Sequence, residues 1–101
     1  MKVVWTLKAE KSFNGIVDYL LDAWTVDVAI SFVDLVDHTV GQIVENPKMF
    51  KVSQYDKISR AALITKHTTM FYRIMGDTIE IEYFWGNFDN LEKINDLLKF
   101  K

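Results

Sequence analysis

His67 follows Lys66 at the expected turn between two β-branched and aromatic runs. An imidazole there could pass a proton near neutral pH or contact a phosphate. With no second histidine or carboxylate close to it in sequence, it reads equally well as a solvated hydrogen-bonding residue. His38, beside Asp37 and off the apolar stripe of a helix, reads as surface. Two histidines this far apart, in a chain without cysteine, offer no metal-ligand spacing and no disulfide. No glycine-rich phosphate loop, nucleophile elbow or pair of carboxylates at catalytic spacing is present, so no cofactor is implied.

The remaining candidates are cations and aromatics that would meet a partner. Residues 1–46 hold three Lys against seven Asp or Glu. Residues 48–73 reverse this, with Lys48, Lys51, Lys57, Arg60, Lys66 and Arg73 against Asp56 alone. The helical half is thus expected to be acidic and the front of the sheet basic, a surface for an acidic partner or a phosphate backbone. A solvated strand and loop is the plainer alternative. Arg60 and Arg73 fall on neighbouring strands and are expected to share a sheet face with Glu80 or Glu82, where cross-strand ion pairs would be worth under about 1 kcal/mol each. Trp85 and Phe88 either form an exposed aromatic anchor or pack the sheet end against a final helix.

The elements that position these residues follow from periodicity. Lys2–Leu7 reads as a first strand. Phe13, Ile16, Val17, Leu20 and Trp24 form one stripe of a helix from about Ala9 to Trp24, with Gly15 inside it as a candidate close-approach point. Thr25 caps a second helix, whose stripe is Ala29, Phe32, Val33, Val36, Val40, Ile43 and Val44, and Asn46-Pro47 ends it. The two helices form an antiparallel hairpin that lids the sheet. Residues 47–57 lack a period and read as a binding or mobile loop.

Three strands follow, ISRAALI, MFYRIM and TIEIEYFW, with Gly76-Asp77 as a tight hairpin connection. Strict alternation in the last places Ile79, Ile81, Tyr83 and Trp85 on one face and Glu80, Glu82 and Phe84 on the other. Asn90 caps a short closing helix bearing Leu91, Ile94, Leu97 and Leu98. At 101 residues, this is one α+β domain of order β-α-α-β-β-β-α, a helical hairpin on a small antiparallel sheet. No apolar run approaches the roughly 20 residues of a membrane span, so a cytoplasmic location is expected.

That order, together with "A..SF..IVDYLLDAW", "IVENPKMF", "ISRAALITKHTTMFYRI" and "DTIEIEYFWGNFDNLEKI", resembles the RelE/ParE family of bacterial toxins from type II toxin–antitoxin modules. The likeness covers nearly the whole chain and is closer to the ParE branch, the plasmid stabilisation proteins. It departs from that branch's tail in having Phe88 where Arg is usual and Leu91 where Pro is usual.

The resemblance implies a growth-inhibiting toxin that binds a cellular target, DNA gyrase in the best-known case, and is silenced by an antitoxin. Its RelE branch instead cleaves ribosome-bound mRNA with several basic residues and a tyrosine. Aligned with that branch, Arg60 keeps one basic position, Ala62, Thr69 and Phe88 occupy others, and the tyrosine has no counterpart. Phosphodiester cleavage needs a base, an acid and charge stabilisation, three roles that one arginine cannot fill. Arg60 and His67 are the catalytic candidates if cleavage survives, with Lys66 compensating. Lys51, Lys66, Arg73, Trp85 and Phe88 are the candidates for binding a target or partner. A degenerate member that binds antitoxin and poisons nothing is the third possibility.

Overall fold

The structure, a computed structural model, describes residues 1–54 and 56–86. The expected closing helix and Phe88 lie outside the described residues. In chain order the elements are β1 (Lys2–Trp5), α1 (Leu7–Ala23), α2 (Val26–Glu45), β2 (Arg60–Thr65), β3 (Thr68–Met75) and β4 (Thr78–Gly86). The sheet order is β1-β4-β3-β2. The β2–β4 meander is antiparallel as expected, but β1 joins β4 in parallel and makes the sheet mixed. A parallel neighbour needs a long crossover, and the two helices together with β2 and β3 supply it.

Thr6 starts α1, its hydroxyl accepting the Ala9 N–H at 2.9 Å. Thr25 starts α2 in the same way, with Asp27 in the first turn, and Asn46 ends it. The helices are joined through Trp24 and Thr25 alone; α1 packs mainly on β4, and α2 packs on α1 and on β2. Ala9, Ile16 and Leu20 of α1 and Ala29, Phe32, Val36, Thr39 and Ile43 of α2 are buried. Phe13, Val17, Val40 and Val44 pack against these, partly buried, but two expected stripe members are exposed. Trp24 sits at the C-cap, 44 % exposed, and Val33 is 39 % exposed while Thr39 takes a buried position.

Rings from four elements meet in the core. Phe13 lies 5.3 Å from Trp5, 5.4 Å from Phe84 and 5.7 Å from Phe32, centroid to centroid. Gly15 is exposed, and a Cβ added there would meet nothing within 4 Å, so it admits no close neighbour. Gly15→Ala should therefore raise stability by up to about 1 kcal/mol. The check is a higher urea midpoint with an unchanged slope.

Gly76-Asp77 makes the two-residue turn between Met75 and Thr78, with Gly76 at φ +60°. Further along β4 the alternation breaks. Phe71 pairs with Tyr83 but Tyr72 pairs with Ile81, leaving Glu82 as an extra residue in a β-bulge. The bulge reverses the expected faces beyond it. Ile79, Ile81 and Phe84 are buried, whereas Tyr83 is half-buried and Trp85 exposed. Early α1 holds the bulge in place: Thr6 Oγ1 donates to the Glu82 carbonyl at 2.6 Å, and Ser12 Oγ accepts the Phe84 N–H at 2.9 Å. These side-chain oxygens serve backbone groups at the irregular step of the ladder.

Candidate functional site

Beyond the bulge, β3 and β4 present aromatic side chains on the sheet face away from the helices. Phe71 and Tyr83 stand opposite each other in register and stack, with centroids 4.7 Å apart and planes at 20°. Trp85 lies opposite Thr69, and Ala61 of β2 lies opposite Phe71. These five residues floor a groove of about 620 Å³, and residues 51–54 of the α2–β2 connection form its wall. Lys8 reaches over the Tyr83 ring from α1, its Nζ 4.4 Å from the centroid, a cation–π contact.

The connection that carries this wall is tied to the sheet and its flank at several described residues. Tyr72 Oη donates to the Pro47 carbonyl at 2.7 Å, and Arg60 Nη1 to the Phe50 carbonyl at 2.7 Å. Ala61 N–H donates to the Lys51 carbonyl, and Val52 bridges Arg60 as a fragment of added strand. Lys57 takes φ 60°, a left-handed conformation unusual for lysine. The adjacent Asp56 supports this turn, its Oδ1 accepting the Ile58 and Ser59 N–H groups at 2.9 Å each.

A polar chain ties that turn to the bulge. The Ser59 hydroxyl, with one proton to donate, lies between two acceptors, Asp56 Oδ2 at 2.8 Å and Glu82 Oε1. Glu82 Oε2 accepts from Arg73 Nε at 2.9 Å and faces Arg73 Nη2 at 2.7 Å, a two-point pair. The N–H groups of Ile58 and Ser59, then the Ser59 hydroxyl, hold the Asp56 carboxyl below its usual range, with Arg73 adding a smaller effect. A depressed folded-state value contributes stability above the usual aspartate range, lost as pH falls through the folded value. The Ile58 and Ser59 amide resonances should therefore keep their neutral-pH positions below pH ~4 and move only at stronger acid. In Asp56→Asn that transition should vanish.

The structure separates several residues that the sequence grouped. Arg60 shares the buried, helix-side face of Tyr72, its register partner, so Arg73 projects from the opposite face. The two arginines do not share a face, because consecutive strand residues point opposite ways. His67 and Lys66 form the β2–β3 turn, at the far end of β2 from Arg60 and roughly 20 Å from it along the strand. The front is also not a basic face. Arg73 is paired with Glu82 and Arg60 is turned away, so the cationic surplus resides in exposed Lys48, Lys51, Lys57 and Lys66 on the connections.

Of the proposed contact residues, Lys51 and Trp85 meet at the groove. Phe71, Tyr83, Ser59 and Glu82 were not singled out for roles at such a site. Asp56-x-x-Ser59, an Asx-turn spacing, was the available signal for the wall. Among the described residues, no three or more His, Asp or Glu side chains gather as metal ligands would.

The sequence model described as "ParE toxin of type II toxin-antitoxin system, parDE" matches residues 3–85. The chain belongs to the ParE toxin family. It is the toxin component of a type II toxin–antitoxin module, and a cognate antitoxin is its implied partner. Among curated proteins none matches this ParE-family sequence.

Solved structures share its fold. The chromosomal ParDE system from P. aeruginosa gives a TM-score of 0.71 at 20% identity, covering 85% of this chain and 95% of that one. A YoeB/ParE toxin from Agrobacterium tumefaciens gives 0.63 at 17% identity, covering 86% and 99%. YafQ from E. coli strain BL21(DE3) gives 0.59 at 8% identity, covering 85% and 92%. At these identities the likeness speaks for the ParE-type architecture alone.

Proposed function

We propose that this ParE-family toxin acts in the cytoplasm by binding a large cellular target, with DNA gyrase the candidate that the family resemblance implies, rather than by cutting mRNA. The supporting observation is the dispersal of the would-be cleavage residues. Arg60 is engaged with the Phe50 carbonyl on the helix side, and His67 lies at the opposite end of β2. Acid, base and charge-stabilising groups must converge within hydrogen-bond reach of one phosphate. Lys51 and Trp85 instead come together over an aromatic floor, as a binding surface requires. No helix among the described residues is long and apolar enough to cross a membrane.

The antitoxin would dock elsewhere. β1 is an edge strand, able to accept an added strand from a partner. Leu21, Trp24, Val26, Val28 and Ile30 are exposed around the helical hairpin and suit the apolar face of an amphipathic segment. Expression of the chain alone in a bacterium is expected to arrest growth, with co-expression of the antitoxin restoring it. Transcript 5′ ends mapped after induction should show no new cuts within translated codons. Normal growth at high expression would refute the toxin reading for that host, and codon-positioned cuts would favour the RelE-type alternative.

A further inference from the structure

We propose that the groove over Phe71, Tyr83 and Trp85 is a docking site for an extended acidic peptide segment of a partner protein, carrying one apolar or aromatic anchor. This rests on the reading that the protein works by binding a macromolecule, and it names the chemistry of what is bound. The floor is apolar and aromatic, and Trp85 is 46 % exposed within it. The Phe71 and Tyr83 rings are already stacked against each other, a preformed surface on which to seat a side chain. A volume of about 620 Å³ takes one large anchor with its neighbours along an extended chain.

Charge selects among peptides. Lys51 is the charged member of the described lining, which contains no carboxylate although the whole chain is net −2. The Lys8 ammonium over Tyr83 adds a second positive charge next to the floor. Two cations match one or two carboxylates beside an anchor. Single-stranded nucleic acid draws its affinity from a run of phosphate contacts along a basic groove, which two lysines do not provide. Nearby Arg73, which would extend such a track, is neutralised by Glu82.

The test uses the full chain and three fluorescein-labelled probes: an eight-residue peptide of Glu and Asp around a central Phe, the same peptide with Lys for every acid, and an eight-nucleotide oligo-dT. Anisotropy should report binding of the acidic peptide alone, with NMR shift changes concentrated at Lys51, Phe71, Tyr83 and Trp85. Lys51→Glu and Trp85→Ala should each weaken that binding by about tenfold or more, while Lys51→Arg retains it. Circular dichroism of each variant verifies its fold.

Preferential binding of oligo-dT or the basic peptide, binding of no probe, or indifference of the acidic peptide to both variants would overturn the proposal. Growth assays separate the two readings. If the parent chain arrests growth and the acidic peptide binds no better than the others, the groove proposal fails and the toxin reading stands. If the peptide binds as described and the parent chain leaves growth untouched, the toxin reading fails and the groove remains a peptide site.

Discussion

Phe84→Ala is expected to cost about 3–5 kcal/mol of unfolding free energy, whereas Trp85→Ala should change it by no more than about 0.5 kcal/mol. Strict alternation along β4 would predict the reverse, because it puts Trp85 in line with buried Ile79 and Ile81. The bulge at Glu82 turns Phe84 inward, 4 % exposed, with its ring 5.3 Å from Trp5 and 5.4 Å from Phe13. Truncation there would open a cavity where β1, α1 and β4 meet, while Trp85 leaves a groove already open to water. Urea unfolding of the two variants decides the register. Equal losses, or a larger loss for Trp85, would place the bulge elsewhere.

Tyr72→Ala should be as costly, about 3–5 kcal/mol, because Tyr72 is the largest of the fully buried side chains among the described residues. Its hydroxyl also ties the α2–β2 connection to β3 through the Pro47 carbonyl at 2.7 Å. Tyr72→Phe isolates that bond and should cost about 1–2 kcal/mol. Burial pushes the Tyr72 hydroxyl above its usual value, against smaller opposing effects from Arg60 and a hydrogen bond at Phe50. A neutral form favoured by folding gives stability that is complete below the unfolded-state value near 10 and declines as pH rises through the raised folded value. Unfolding followed between pH 8 and 11 should show this decline in the parent chain and a smaller one in Tyr72→Phe. Parallel pH profiles would assign the decline to other groups.

Much of this architecture was legible in the sequence because period and punctuation agreed. Thr25 and Asn46-Pro47 bracket α2 where the apolar stripe begins and ends, and Gly76-Asp77 marks the hairpin. What escaped depends on partners distant in sequence. The bulge at Glu82 is stabilised by Thr6 and Ser12, more than 70 residues away, so no local window on β4 reveals it. The parallel pairing of β1 with β4 is likewise a matter of topology rather than of the KVVW run itself.

The candidate site was read in part. Lys51 and Trp85 stood out by type and both line the groove, whereas Arg60 was a candidate through the family resemblance and His67 through its residue type at a turn, neither of which fixes a common place in the fold. Register separates them, since β2 carries one at its start and the other lies in the turn beyond its end. The missed bulge also hid the stacked pair, because it moves Tyr83 from the expected core face to the groove, where Phe71 stands opposite it.

The most direct test of the central claim, disabling of a target by binding, is a supercoiling assay with purified DNA gyrase titrated with the purified toxin. Loss of supercoiling near one toxin per gyrase subunit, reversed by the cognate antitoxin, is the predicted result. Full supercoiling at a large excess of folded toxin, in a preparation that cuts mRNA on ribosomes, would contradict it.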